Sequence, residues 1–171
     1  QGSTTVVTGA EGFSFCVRPD AVQTRECISG RVCVADGVTG YSLQDGHRMA
    51  IARNDCSKAK SKVANVVNNG ISKPSTTNGT RYVWGDWYAD FTPLGGWYHL
   101  CWCANIDELK CDNLNANFVL SAGRLLIIGP LANSFECVRG QDCVGLQPFN
   151  GYSLSAADHV RIQRDACGED A

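Results

Sequence analysis

Apolar residues along this chain alternate with polar ones over short spans. "HVRIQR" at His159–Arg164 alternates strictly, and "RMAIAR" at Arg48–Arg53 does so more loosely, with Met49 and Ile51 on one face. In "WYHLCWC" the two-residue period puts Tyr98, Leu100 and Trp102 on one side and His99, Cys101 and Cys103 on the other. "NFVLSAG" and "RLLIIGP" predict two more strands, bounded by Gly and Pro. One stretch differs: in "SKAKSKVANVVNNG", Val63, Val66 and Val67 fall at helical spacing and Gly70 stands where a short helix would stop. "KPSTTNGT" predicts a polar loop. Many short strands separated by turns predict an all-β fold. The expected architecture is an immunoglobulin-like, disulfide-linked β-sandwich plus an incomplete second repeat unit.

The repeat appears when the chain is laid against itself. "FCVR" at Phe15–Arg18 returns as "ECVRG" at Glu136–Gly140, which aligns Cys16 with Cys137. Cys33-Val34 then aligns with Cys143-Val144, and "GYSL" from Gly40 with "GYSL" from Gly151. Ile51, Arg53 and Cys56 follow, opposite Ile162, Arg164 and Cys167. In this alignment Cys27 has no counterpart, and counting back sets Val6-Val7 opposite Ile127-Ile128. Three segments are expected: residues 1–12, a strand equivalent to a unit's closing strand; residues 13–130, a complete unit; residues 131–171, part of another.

Ten cysteines among 171 residues change the picture. Paired C-x-x-C metal motifs are missing, so structural disulfides and an oxidising, extracellular setting are expected. Cysteines kept in both copies should pair alike, favouring Cys16–Cys33 and Cys137–Cys143. Cys56 then has Cys101, Cys103 and Cys111 as partners to choose from, and Cys56–Cys101 with Cys103–Cys111 is the favoured set. Cys27 and Cys167 remain, as candidates for bonds between molecules. No charged-then-apolar leader opens the sequence, so the secreted reading takes Gln1 as a processed N-terminus.

Charge excludes other classes. The net charge is −2 and the basic residues are scattered, which does not suit nucleic acid. The longest aliphatic run, Leu125–Ile128, is far too short for a membrane span. His47, His99 and His159 stand in strand contexts without a nucleophile motif, and neither G-x-S-x-G nor H-E-x-x-H occurs. Asp86 and Asp90 in "WGDWYADF" read as loop acids rather than a glycosidase pair. Neither enzyme chemistry nor a metal or cofactor is expected.

Two features remain. The aromatic cluster from Tyr82 to Trp102 reads either as core or as a platform that stacks on a sugar or partner, with Trp84 and Trp87 its exposed members. Asn78-Gly79-Thr80 is an N-glycosylation sequon in the polar loop.

"GGWYHLCWCA" at Gly95–Ala104, then Cys111 and "FVLSAGRLLIIGP", resembles a repeat of very long secreted or surface proteins of protists. In that repeat a G-x-Y-x-L-C-W-C strand precedes one ending in Gly-Pro. It is also similar to protomers of extracellular fibrils seen in environmental samples. The resemblance covers Phe15–Pro130 fully and Phe135–Cys167 in part. It implies tandem or polymeric extracellular structure, and it brings no active site. The expectation is therefore a filament subunit whose partners are copies of itself. Ser3, Thr4, Thr5, Val6 and Val7 would add as a strand to the partial unit of a neighbour. The alternative is a carbohydrate-binding or adhesive module using Trp84 and Trp87.

Overall fold

The computed structural model describes residues 6–8, 14–58, 63–86, 91–105, 110–111, 118–143 and 149–162. Among them the strands, in chain order, are β1 (Val6–Thr8), β2 (Ser14–Cys16), β3 (Arg18–Pro19), β4 (Thr24–Ile28), β5 (Cys33–Ala35) and β6 (Gly40–Tyr41). They continue as β7 (Arg48–Ala52), β8 (Tyr82–Trp84), β9 (Gly96–Cys103), β10 (Leu120–Pro130) and β11 (Gly151–Tyr152). No α-helix occurs among the described residues. The fold is all-β, as the alternation predicts.

The long strand β10 organises the molecule. One edge pairs antiparallel with β9, which pairs antiparallel with β7. The other edge takes β4 in parallel, and the last two residues of β10 pair with β11. Three two-stranded ladders, β1–β2, β3–β6 and β5–β8, complete the arrangement. The sheets are small, and among the described residues the β4–β10 pair is parallel while the other strand pairs are antiparallel.

Both faces of the central sheet are covered, which the two-residue period of β9 explains. Tyr98, Leu100 and Trp102 face a core shared with Met49 and Ile51 of β7, Leu125 and Ile127 of β10, and Tyr82 and Trp84 of β8. Cys101 and Cys103 face a second cluster with Ala50, Ala52, Cys56, Ile71, Cys111 and Phe118. Two disulfides lie in this second layer: Cys56–Cys101 and Cys103–Cys111. Cystine there supplies apolar bulk where the chain has few large side chains.

Over Val63–Gly70, the described end of the stretch expected to be helical, no α-helix is present. Short 3-10 turns span Cys56–Lys58 and Val67–Gly70, while Asn65, Asn68 and Asn69 adopt φ of 61°, 52° and 55°. Asparagine tolerates this left-handed region better than most residues, and three such positions break any helical run. Val63 and Val66 are buried all the same, so their spacing reported burial and not helicity.

Candidate functional site

The disulfides correct the sequence alignment. Cys27 pairs with Cys33, not Cys16 with Cys33, at a Cα–Cα distance of 5.2 Å. The geometry is local: β4 turns through Gly30 (φ 87°) straight into β5, bringing Cys27 and Cys33 together. Cys27 is therefore consumed inside the chain and is not a bond between molecules. Cys137 pairs with Cys143, again at a sequence separation of 6 and a Cα–Cα distance of 5.2 Å. The true counterpart of "ECISGRVCV" (Glu26–Val34) is "ECVRGQDCV" (Glu136–Val144), so Cys27 corresponds to Cys137. The "CVR" shared at Cys16 aligns the wrong cysteine, and the longer signal E-C-x-x-G-x-x-C-V identifies the right one.

Backbone geometry recurs around these disulfides. Arg31 N–H donates to the Ile28 carbonyl (3.3 Å) and Gln141 N–H to the Val138 carbonyl (3.2 Å), with Gly140 at φ 85° matching Gly30. Arg18 and Pro19 lie opposite Tyr41 and Gly40, as Gly129 and Pro130 lie opposite Tyr152 and Gly151. Asp20 N–H donates to Thr39 and Leu131 N–H to Asn150, both at 2.9 Å. The Gln23 side-chain amide donates to the carbonyls of Asp20 and Thr39; the Asn133 amide donates to those of Leu131 and Asn150. Ser42 and Ser153 sit at φ 52° and 51°. Gly40 and Gly151 have no room for a Cβ, which would lie 2.5 Å and 2.6 Å from the carbonyl oxygens of Arg18 and Gly129. By this correspondence β2–β3, and not Val6-Val7, occupies the place of the end of β10.

The recurrence stops at burial. Met49 and Ile51 are fully buried under β9. Their counterparts Val160 and Ile162 are 58% and 77% exposed and belong to no strand. Cys27 is buried, whereas Cys137 is exposed, as are its neighbours Glu136 and Val138. Residues 131–143 and 149–162 thus carry a frame like that of their counterparts between residues 20 and 51, with Val160 and Ile162 open.

Of the expected N-terminal strand, Val6 and Val7 lie in β1. Val6 and Val7 are paired with Cys16 and Phe15 of their own chain. Ser3, Thr4 and Thr5 lie outside the described residues, as do Trp87, Asp90 and Cys167.

The aromatic cluster is core at Trp84, which is 1% exposed and donates its indole N–H to the Gly70 carbonyl at 2.8 Å. It presents no face to a sugar, which removes it from the stacking platform. Trp102 donates its indole N–H to the Tyr82 hydroxyl at 3.1 Å. Burial pushes that hydroxyl up to about 12, against the pull of hydrogen bonds to Trp102 and Ser75. His47 stands edge-on to Trp102, ring centroids 4.9 Å apart at 88°, and accepts the Gln44 N–H on Nδ1 at 3.3 Å. Burial lowers its pKa, opposed by the charge of Asp45. These groups hold one another within the core. Asp86 lies within 3.5 Å of the Lys73 ammonium, both exposed.

Asn78 is exposed at the tip of a hairpin turn. Thr76 and Arg81 exchange backbone hydrogen bonds, and Thr77, Asn78 and Gly79 all have positive φ (61°, 57°, 74°). Asn-Gly suits such a turn. The Asp45 carboxylate accepts the Gly79 N–H at 2.9 Å and anchors the turn to the body.

No helix among the described residues is long and apolar enough to cross a membrane. The four disulfides among the described residues fit a protein of an oxidising, extracellular environment. Comparison with protein-family models, with curated proteins and with solved structures gives no match.

Proposed function

We propose that this chain is a secreted structural subunit that associates head to tail with copies of itself into an extracellular filament. Its body is read as an immunoglobulin-like sandwich and segment 131–162 as the opening part of a second unit. The observation that carries the reading is the contrast in burial: Val160 and Ile162 are open where Met49 and Ile51 are closed. A frame held by its own disulfide, with its apolar side uncovered, suits completion by strands from a neighbour. The N-terminal β1–β2 hairpin is the donor, because it leads into the β3–β6 ladder as β9–β10 leads into the matching β10–β11 ladder. Donor and acceptor are different surfaces, so the contact propagates into a filament unless it closes a ring. The role is architectural and not catalytic.

An N-linked glycan on Asn78 belongs to the same reading. The side chain is exposed, the hydroxyl residue Thr80 stands two positions on, and the anchored turn would project the sugar away from the body. Peptide mapping of native material should show Asn78 modified; an unmodified peptide would remove the glycan from the account. Deletion of residues 1–16 tests the assembly, with electron microscopy as readout. Loss of filaments in a chain that still folds is expected, and filaments unchanged by the deletion would refute strand donation.

A further inference from the structure

Segment Ser134–Val138 is the counterpart of β4, yet it is mostly exposed and forms no strand. β4 itself lies along β10 in parallel, with Leu125 opposite Arg25, Leu126 opposite Glu26, Ile127 opposite Cys27 and Ile128 opposite Ile28. The recurring ladders identify the counterparts of both partners. Pro19 opposite Gly40 matches Pro130 opposite Gly151, which sets Ser14, Phe15, Cys16 and Val17 in the places of Leu125, Leu126, Ile127 and Ile128. The matching disulfides and amide bridges set Phe135, Glu136, Cys137 and Val138 in the places of Arg25, Glu26, Cys27 and Ile28. Among the described residues β2 pairs along one edge only, with β1, where β10 pairs along both.

From this we infer that Ser134–Val138 is a docking edge for a second copy of this chain, filled in parallel by Ser14–Val17 of that copy. The register is Ser14 beside Phe135, Phe15 beside Glu136, Cys16 beside Cys137 and Val17 beside Val138. The contact rests on the filament reading and makes it more specific. The strand that meets the acceptor edge is β2, and β1 lies on its far side, as β9 lies beyond β10. Val6 and Val7 therefore support the donor and do not themselves line Ser134–Val138. Binding would order the segment as a strand and cover Cys137 and Val138 in the way β10 covers Cys27.

Four single variants test the register: Ser14→Cys, Phe15→Cys, Phe135→Cys and Glu136→Cys. Each N-terminal variant is mixed with each C-terminal one under mild oxidation, and the bonds are mapped by peptide analysis while assembly is followed by electron microscopy. Mixing two chains makes any new bond one between molecules. Because side chains alternate across a strand and disulfide geometry is demanding, the pairs 14–135 and 15–136 should link about ten-fold more than 14–136 and 15–135. Filaments that form with equal linkage in all four mixtures, or with the crossed pairs favoured, would overturn the register and leave the filament reading standing. Absence of filaments from the unmodified chain would overturn both. Two in-register pairs keep the test decisive if Phe135→Cys, which loses the stacked ring of Phe149, does not fold.

Discussion

An imidazole held against an indole edge and hydrogen-bonded through Nδ1 is a neutral base that folding has made harder to protonate. His47 has its pKa lowered from 6.5 by burial, with Asp45 opposing. In the unfolded chain the same ring takes up its proton near the ordinary value, so below about pH 6.5 the unfolded state binds more protons and stability falls with pH. Urea midpoints should be flat above about pH 7.5 and decline through about pH 6, and His47→Gln should flatten that decline. An equal decline in the variant would show that His47 does not carry it. Trp84 gives a second prediction at this scale. As a buried side chain with a satisfied N–H, its truncation in Trp84→Ala should cost about 3–5 kcal/mol by thermal or urea unfolding. A surface platform residue would cost within about 0.5 kcal/mol. Thr77 is β-branched at φ 61°. Thr77→Gly should stabilise the chain by about 1 kcal/mol without disturbing the Asn78 sequon.

Strands and disulfides were legible in the sequence where a period of two or a local spacing fixed them. The faces of β9 emerged as alternation predicts, since every second residue enters the same core. The Asn-rich stretch misled because valines spaced for burial look the same in a helix and in an irregular loop. The cysteine frame misled for another reason: a three-residue match at Cys16 outweighed the longer E-C-x-x-G-x-x-C-V match at Cys27. The parallel β4–β10 pair was not legible at all, because partners about a hundred residues apart leave no local trace. The disulfides also make a prediction by length. Cys56–Cys101 closes a span of 45 residues and Cys27–Cys33 one of 6. Chain entropy assigns them about 4 and about 2–3 kcal/mol respectively, so replacing the first pair by Ala should lower the unfolding midpoint more. The reverse order would mean that strain or packing, and not chain entropy, dominates.

At the scale of the whole molecule, one body is closed on both faces and one segment is framed but open. In the proposed reading the closed body supplies stability and the open segment supplies the contact between copies. Val138, Val160 and Ile162 are each exposed, and a chain alone in water gains nothing by exposing apolar side chains. Sedimentation velocity of the intact, oxidised chain over a range of concentrations tests this most directly. The account predicts a series of species above the 18.4 kDa monomer that lengthens with concentration, and that is lost when residues 1–16 are removed. A single monomeric boundary at every concentration would contradict it.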